Sequence, residues 1–299
     1  MPLKLVDGSE SLVDIHSDIG CYNRGFYTHY GNSEKITLLI LNLMPDKREA
    51  ERQIFRLLSK SPSNIQVELL RLDNHNYKNT PLSHMLKFYK TFESIHKKKF
   101  DGMIITGAPL ENIEFENITF WSQLVHIMKW ARTNVSSIFF ICWAVQAALK
   151  IFYNLPVKLR MEKISGIYSH RSLDPEDFLT RNLGKYFYAP HSRFAEYSQS
   201  VIRQYTDLYI QADSEEIGAY LFSSPDRRMV FATGHPEYGS NTLEKEYKRD
   251  LAAGLKPYIP VNYFASINSR LLPKFDWLAH GEMLFSNWLC NCLDLRERR

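Results

Sequence analysis

The sequence has few cysteines, and none is spaced like a metal or redox site. Cys21, Cys142, Cys290 and Cys292 form no CxxC pair, and no Cys/His group has the spacing of zinc ligands. Four cysteines among 299 residues are too few for a disulfide framework, so we expect a reducing compartment and a cytoplasmic protein. We also expect no metal and no organic prosthetic group.

Long apolar runs and a strong charge of one sign are also missing. No stretch approaches the ~18 consecutive apolar residues of a membrane span, and the first residues lack the apolar run of a signal peptide. The net charge is only +4, from 37 basic and 33 acidic residues that are scattered along the chain. We therefore expect neither a membrane nor a nucleic acid as a partner. A hydrophobic fraction of 44% is ordinary for a folded protein with a core.

Apolar strand-like runs alternate with helix-like segments along most of the chain. The predicted strands are 36–44, 65–72, 100–107, 135–142, 208–212, 218–222 and 229–233, and the predicted helices are 47–59, 81–97, 121–133, 144–153, 242–255 and 283–293. This alternation predicts a three-layer α/β fold, with a mostly parallel sheet and helices on both faces. Residues 1–35 show no clear periodicity. We expect them to wrap the surface of a single domain formed by 36–299.

Cys142 lies where a predicted buried strand passes into a predicted helix. In open α/β sheets, active sites lie beyond the carboxyl ends of the strands. The free N–H groups and the positive dipole end of a helix N-terminus favour a thiolate, and they can also stabilise an oxyanion. The segment therefore predicts a nucleophilic cysteine. The alternative is a buried cysteine that acts as a small hydrophobic residue.

A histidine and a carboxylate follow another predicted strand, in Thr233-Gly-His-Pro-Glu-Tyr238. Glu237 stands two residues after His235, close enough to orient the imidazole. With Cys142 they make a set of nucleophile, base and orienting group, and both segments end strands of one predicted sheet. The alternative is a surface turn in which His235 has no chemical role.

Several segments, in order, are similar to one enzyme family. They are Leu41-Asn-Leu-Met-Pro45, Phe88-Tyr-Lys-Thr-Phe92, Phe100-Asp-Gly-Met-Ile-Ile-Thr-Gly-Ala-Pro109, Ile141-Cys-Trp-Ala-Val-Gln-Ala-Ala148, Ala189-Pro-His-Ser-Arg193, Thr233-Gly-His-Pro-Glu-Tyr238 and Leu284-Phe-Ser-Asn-Trp288. From about residue 36 to 293 the chain resembles the homoserine O-acyltransferases, which comprise homoserine trans-succinylases and trans-acetylases. The resemblance implies a class I glutamine-amidotransferase-like fold, a ping-pong mechanism and a homodimer.

The resemblance also implies roles for particular residues. Cys142 would carry the acyl group as a thioester, with His235 as general base and Glu237 as its partner. Lys163, Ser192 and Arg249 match positions that contact the substrate. Lys163 and Arg249 would meet carboxylates, and Ser192 would help to set acceptor choice. Without the resemblance, Lys163 and Arg249 would be ordinary surface charges.

Glu111, in Ala108-Pro-Leu-Glu111, matches the position that separates acyl donors in the family. A glycine there accompanies succinyl-CoA and a glutamate accompanies acetyl-CoA, because a glutamate fills space and repels a second carboxylate. We therefore expect acetyl transfer from acetyl-CoA to L-homoserine. The alternative for this residue is a solvent-facing loop glutamate, and the alternative donor is succinyl-CoA.

Three other functions are compatible with the sequence. L-serine is one methylene shorter than homoserine, which is worth only ~1–3 kcal/mol of discrimination, so serine O-acetylation that feeds cysteine synthesis is the close alternative. Glutamine amidotransfer is a remote one, since Phe140 and Ala144 stand where its elbow usually has glycines. A non-catalytic, metabolite-binding relative is the last.

Overall fold

One large sheet forms the centre of the molecule. The computed structural model describes residues 3–4, 35–61, 63–73, 77, 79–156, 158–267, 270–273 and 277–298. Its strands are β1 (Leu3–Lys4), β2 (Lys35–Leu41), β3 (Asn64–Leu70), β4 (Tyr89–Lys90), β5 (Phe100–Ile105), β6 (Val135–Ile141), β7 (Lys158–Ser172), β8 (Tyr186–Glu196), β9 (Tyr209–Ser214), β10 (Gly218–Ser223) and β11 (Met229–Ala232). A separate hairpin pairs β12 (Phe264–Ile267) with β13 (Arg270–Pro273).

Eight α-helices accompany the sheet in the described residues. They are α1 (Lys47–Leu58), α2 (Leu82–Phe88), α3 (Phe92–Ile95), α4 (Trp121–Asn134), α5 (Trp143–Tyr153), α6 (Gln199–Tyr205), α7 (Thr242–Ala252) and α8 (Leu278–Glu297). In this part of the chain, no helix has the length and apolar character needed to cross a bilayer.

The first half of the sheet is parallel. Its order is β1-β3-β2-β5-β6-β11, every neighbouring pair is parallel, and β4 adds in parallel to β3. Of these strands, β2, β6 and β11 are nearly continuous runs of buried residues because helices cover both faces, whereas β3 alternates buried and half-buried residues. The pairing of β6 with β11 sets Ile141 opposite Ala232, so the chain segments after these two strands leave the sheet side by side.

The second half of the sheet is antiparallel and follows the order β11-β10-β9-β7-β8. β7 and β8 form a long pair whose register shifts between Leu159 and Ile164. The residues between these two positions bulge from the ladder, and they include Lys163. The sequence patterns did not predict β7 and β8.

Helices lie on both faces of the sheet, as predicted. On one face, Ile54 and Phe55 of α1 and Trp288 of α8 pack against Leu38 and Ile40 of β2. On the other face, α4, α5 and α6 pack around the alternate residues of the same strands. The prediction of a three-layer α/β fold with a mostly parallel sheet is therefore confirmed.

The predicted helix 81–97 is wrong, because the chain is helical only in α2 and α3 and forms β4 between them. Tyr89 and Lys90 pair with Leu69 and Leu70 of β3. The Tyr89 hydroxyl donates a 2.5 Å hydrogen bond to the buried carboxylate of Glu51, which favours the extended backbone at this point.

The N-terminal and C-terminal segments also bear on the predictions. Apart from β1 and Lys35, the predicted surface segment 1–35 lies outside the described residues, and so does Cys21. At the other end, α8 begins and ends several residues beyond the predicted range of 283–293.

Candidate active site

Cys142 occupies a strained turn between β6 and α5. Its φ is 51° and its ψ is −112°, a conformation that residues with a side chain rarely adopt and that is often found at functional sites. The Cys142 N–H donates a 2.8 Å hydrogen bond to the carbonyl of Ala232 in β11. The turn thereby places the thiol directly at the first turn of α5, where backbone N–H groups have no partner within the helix.

His235 lies beside Cys142, beyond the end of β11. A Cβ atom added to Gly107 would lie 3.2 Å from Cys142 Cβ and 3.4 Å from His235 Cε1, so both side chains border the same small space. The two residues are 5% and 3% exposed. The thiol is thus largely buried, but it lies beside the imidazole and not only among apolar atoms. His235 is itself buried, so it does not lie on a surface turn.

Glu237 orients the imidazole of His235 through a contact with its Nδ1 atom. His235 Nδ1 lies 2.7 Å from Glu237 Oε1, and the Glu237 side chain is buried. Because a carboxylate accepts, this contact puts a proton on Nδ1 and leaves Nε2 as the atom that can exchange a proton with Cys142. The Tyr238 ring stacks on the imidazole with a centroid distance of 4.0 Å.

The charges around His235 favour its protonated form. Burial alone would lower the pKa of His235, but the negative charges of Cys142 and Glu237 outweigh burial and raise this pKa well above its ordinary value. The imidazole is therefore favoured in its protonated form as long as the neighbouring sulfur carries a negative charge.

Glu111 is anchored next to the turn that carries Cys142. Its carboxylate accepts hydrogen bonds from the Nε2 of Gln146 at 2.8 Å and from the backbone N–H groups of Phe194 at 2.9 Å and Ala195 at 3.2 Å. It therefore bridges α5 and β8. The alternative of a solvent-facing loop glutamate is wrong.

Ser192 lies across the site from the thiol, in β8. The Cys142 thiol lies 4.0 Å from the Ser192 carbonyl, and the Ser192 hydroxyl donates a 2.5 Å hydrogen bond to Glu246 Oε2 in α7. Glu246 Oε1 also accepts a 2.8 Å hydrogen bond from the Tyr238 hydroxyl. Glu246 thus connects the imidazole-stacking tyrosine with the strand that contacts the nucleophile.

Two cations and two carboxylates lie together at the outer side of this group. Lys163 Nζ is 3.8 Å from Glu246 and 3.5 Å from Asp250, and Arg249 Nη2 is 2.7 Å from Asp250. Arg249 is 63% exposed at its side chain. Burial opposes its charge, but the bond to Asp250 and the charges of Glu246 and Asp250 raise the pKa of Arg249.

A groove of about 890 Å³ opens beside these charges. Its walls include Lys163 from the bulge in β7, Phe194 from β8, Glu246 from α7 and Tyr258 from the segment after α7. Its volume is within the range of small-molecule and cofactor sites. Lys163, Glu246 and Asp250 line this groove, whereas Cys142 and His235 do not.

The structure brings together all seven residues predicted from the sequence, in two adjacent groups. Cys142, His235, Glu237 and Glu111 surround the start of α5, while Lys163, Ser192 and Arg249 lie around Glu246. Four residues that contact these groups were not predicted from the sequence: Gln146, Glu246, Asp250 and Arg56, whose Nη2 lies 3.4 Å from the Glu237 carbonyl.

The described residues contain no group of three or more His, Cys, Asp or Glu side chains that could hold a metal ion.

Comparison with known proteins identifies the family. The family model described as homoserine O-succinyltransferase matches residues 28–296. The chain is 51% identical over 268 residues to the homoserine O-succinyltransferase of Edwardsiella ictaluri, covering 88% of this chain and 87% of the relative. It is 52% identical over 254 residues to the enzyme of the same name from Yersinia pestis, covering 85% and 82%.

Solved structures with low sequence identity share the fold. A putative GMP synthase protein from Thermoplasma acidophilum is 14% identical with a TM-score of 0.55, covering 89% of this chain and 98% of that chain. A glutamine amidotransferase from Thermotoga maritima is 14% identical with a TM-score of 0.53, covering 88% and 97%. These likenesses confirm the glutamine-amidotransferase-like fold. They say nothing about activity.

The resemblance inferred from the motifs is therefore confirmed. The matched range covers both the strained turn at Cys142 and the segment of His235 and Glu237. The chain belongs to the homoserine O-succinyltransferase family, and it is an acyltransferase.

Proposed function

We propose that the protein transfers an acetyl group from acetyl-CoA to the side-chain hydroxyl of L-homoserine, through an acyl-thioester on Cys142. The observation that carries this proposal is the contact of a strained cysteine at a helix N-terminus with a histidine whose Nδ1 is held by a buried carboxylate. This geometry suits covalent catalysis by an activated nucleophile.

In the first half-reaction, the Cys142 thiolate attacks the thioester carbonyl of the donor. A new C–S bond forms, and the tetrahedral oxyanion is placed near the N–H groups at the start of α5. Collapse breaks the original C–S bond. The leaving coenzyme A sulfur takes the proton from His235, which leaves a neutral imidazole and an acetylated Cys142.

Acylation changes the charge beside His235. The negative charge of Cys142 is one cause of the raised pKa of His235, and it vanishes when the sulfur becomes part of a thioester. The imidazole then favours its neutral form. It can take the proton from the acceptor hydroxyl as that oxygen attacks the thioester carbonyl. The acyl C–S bond then breaks, the ester is released and Cys142 leaves as the thiolate, so the charge of the nucleophile switches the histidine between acid and base.

The position of Glu111 supports acetyl-CoA rather than succinyl-CoA as the donor. The relatives are named succinyltransferases, so succinyl-CoA is the natural alternative. In this chain, however, a carboxylate is fixed beside α5 by Gln146 and by two backbone N–H groups. A succinyl group would bring a second carboxylate toward this fixed charge, whereas an acetyl group would not.

The charges around Glu246 support an amino acid as the acceptor. Lys163 and Arg249 can bind a carboxylate, and Glu246 and Asp250 can bind an ammonium group. Two positive and two negative groups are together complementary to a zwitterion. In the structure these groups pair with one another, and an amino acid would exchange those ion pairs for its own.

The names of the relatives support homoserine as the acceptor, and serine is the physical alternative. Homoserine and serine differ by one methylene, which a pocket discriminates by only ~1–3 kcal/mol. The proposed arrangement therefore predicts a measurable but inferior reaction with serine.

Competition between substrates tests the proposal directly. The purified protein is given equal acetyl-CoA and succinyl-CoA together with equal homoserine and serine, and the products are counted by mass spectrometry. O-acetylhomoserine should dominate. A majority of O-succinylhomoserine would overturn the donor assignment, and a majority of O-acetylserine would overturn the acceptor assignment. Hydrolysis of glutamine would instead favour an amidotransferase.

A further inference from the structure

Arg193 is a fully buried charge next to the proposed nucleophile. Its side chain is 0% exposed. Nε donates to His191 Nδ1 at 3.2 Å, Nη2 donates to the carbonyl of Ile217 at 2.9 Å, and Nη1 donates to the carbonyl of Ala195. All three acceptors are neutral, and among the described residues Arg193 forms no ion pair. Burial of a guanidinium in this way is costly, so a buried anion nearby is expected to use its charge.

Two groups that can carry a negative charge, Cys142 and Glu111, contact β8 on either side of Arg193. The carbonyl of Ser192, the preceding residue, is the group that contacts the Cys142 thiol at 4.0 Å. On the other side, the N–H groups of Phe194 and Ala195 bind the Glu111 carboxylate, and the carbonyl of Ala195 is held by Arg193 itself. Burial lowers the pKa of Arg193, and the charges of Cys142 and Glu111 are among those that oppose this change.

His191 lies between Arg193 and the turn that carries the proposed base, His235. Because Arg193 donates to His191 Nδ1, the proton of His191 is on Nε2, which points to His170 Nε2 at 3.1 Å. A Cβ atom added to Gly234 would lie 2.7 Å from Cε1 and Nε2 of His191, so the turn that carries His235 rests against this ring.

His170 and His191 do not themselves supply charge here. Burial and the neighbouring Arg193 lower the pKa of both histidines, that of His170 to about 3, so both rings are neutral at physiological pH. Arg193 is therefore a permanent positive charge on this side of the site. His235, in contrast, loses or gains its charge with each half-reaction of the proposed mechanism.

We propose that Arg193 is a positioning residue for acyl transfer, which supports negative charge on Cys142 by its fixed charge and holds the stretch of β8 that binds Glu111. The inference uses one part of the proposed function, namely that Cys142 is the nucleophile. It adds a charge that is distinct from the imidazolium and that remains in place after acylation.

The pH profile of Cys142 alkylation measures this support. The charged and titratable groups whose charges interact with Cys142 are His235, Arg193, Tyr197 and Tyr238. The full-length protein is treated with iodoacetamide over a pH series, and labelling of the Cys142 peptide is followed by mass spectrometry. Glu237 and His235 are unchanged in every variant, so their contribution is common to all profiles.

Three variants separate charge from packing. Arg193→Gln removes the charge and should move the midpoint of alkylation upward by about one pH unit, with about tenfold slower labelling near pH 6. Arg193→Lys keeps a positive charge and should shift the midpoint less, even if its melting temperature falls equally. Arg171→Gln is the control, because Arg171 is half-exposed and pairs with Asp213 in β9. An unchanged midpoint in a folded Arg193→Gln protein would overturn the proposal.

A measurement on the unmodified protein covers the case in which Arg193→Gln does not fold. Salt near 1 M screens exposed charges such as Arg249 strongly, and it screens a buried charge much less. The alkylation midpoint should therefore stay the same at low salt and at about 1 M KCl. An upward shift of about one pH unit would assign the support to surface cations and contradict a role for Arg193.

Alkylation requires neither acyl-CoA nor an acceptor. If Arg193→Gln shifts the midpoint but the unmodified protein transfers no acyl group, the proposed function is contradicted, while the electrostatic support of Cys142 by Arg193 stands. If the unmodified protein transfers acyl groups but Arg193→Gln leaves the midpoint unshifted, the proposed function stands and the role of Arg193 is contradicted.

Discussion

The carboxylate of Glu111 accepts a 2.8 Å hydrogen bond from the side chain of Gln146, which stands four residues after Cys142 on α5. The helix that begins at the nucleophile therefore also fixes a negative charge beside it. In the proposed reaction, a donor with a carboxylate of its own would bring it toward this charge, so donor choice can be tested by substitution.

Glu111→Gly should shift donor preference toward succinyl-CoA. The change removes both the volume and the charge of the side chain, so the ratio of kcat/KM for succinyl-CoA to that for acetyl-CoA should rise by about 10- to 100-fold, or about 1.4–2.7 kcal/mol. Steady-state kinetics with both donors measure this ratio.

Glu111→Gln separates the two contributions, because it keeps the volume and removes the charge. A ratio between those of the unmodified protein and Glu111→Gly would show that both the volume and the charge of Glu111 contribute to donor choice. Glu114→Gln is the matched control, since Glu114 is exposed in the same loop and should leave the ratio unchanged. A constant ratio in Glu111→Gly would contradict the assigned role of Glu111.

Cys142 should become acetylated when acetyl-CoA is supplied without an acceptor. Mass spectrometry of the intact protein should show one added acetyl group, which disappears when homoserine is added. Cys142→Ala should show no adduct and lose activity by at least about 10³-fold. Cys290→Ser is the control, because Cys290 is exposed on α8 and its loss should change neither result. An adduct that persists in Cys142→Ala would place the acyl group elsewhere.

His235→Asn should slow both half-reactions. An amide cannot serve as acid or base, so the rate of acyl-enzyme formation and the rate of its breakdown should each fall by about 10²- to 10⁴-fold. Single-turnover experiments, with the acyl-enzyme followed by mass spectrometry after rapid quenching, separate the two rates. A variant that loses only the breakdown step would show that the thiol is activated without the imidazole.

The cluster around Glu246 should control the KM of the acceptor. Arg249→Met and Glu246→Gln should each raise the KM for homoserine by about tenfold or more, since each removes a partner for one charge of the zwitterion. Neither should slow acetylation of Cys142 to the same degree. Lys248→Met is the control, because Lys248 is exposed on α7 and pairs with Glu244.

A hydroxy acid without the amino group provides a second check on this cluster. It should be a poor acceptor for the unmodified protein, and Glu246→Gln should lower the difference between it and homoserine. Equal use of the two acceptors by the unmodified protein would remove the proposed ammonium site.

Acid should destabilise the protein through His170 and His191. Burial and Arg193 lower the pKa of His170 to about 3, and that of His191 is lowered for the same reasons. Between the unfolded pKa of about 6.5 and the lower folded pKa, the unfolded chain binds more protons than the native one. The free energy of unfolding should therefore fall as the pH falls through this window, by about 1.4 kcal/mol per pH unit for each histidine.

Urea unfolding at a series of pH values between about 6.5 and 4 measures this slope. His170→Gln should reduce the slope by about one proton, whereas His126→Gln, at an exposed position on α4, should not change it. An equal slope in His170→Gln and the unmodified protein would mean that other groups cause the acid sensitivity.

The parallel half of the fold was predictable because its strands are buried on both faces. Runs such as Val135–Ile141 consist of apolar or small residues in every position, and this pattern is visible without knowledge of the partners. The position of Cys142 followed from the same signal, since it stands at the end of such a run. His235 was found in the same way after β11.

The hairpin of β7 and β8 was not predictable from periodicity. β7 alternates charged and apolar residues at its start, but Leu159 and Met161 are exposed there, so this alternation does not mark a buried face, and a register shift follows. Glu246 was missed for a different reason. Its partners Ser192 and Tyr238 stand 54 and 8 residues away, and only folding brings their hydroxyl groups to one carboxylate.

The strand β8 lies at the end of the sheet order, five places from β6, and yet it contacts the residue that follows β6. The outermost strand is therefore curled back over the carboxyl edge of the parallel strands. The proposed reactive pair and the proposed substrate-binding residues of β7 and β8 consequently belong to different stretches of chain. Substitutions in β7 and β8 can retune which molecules react while the chemistry itself stays unaltered, which gives this architecture a simple route to new substrate preferences.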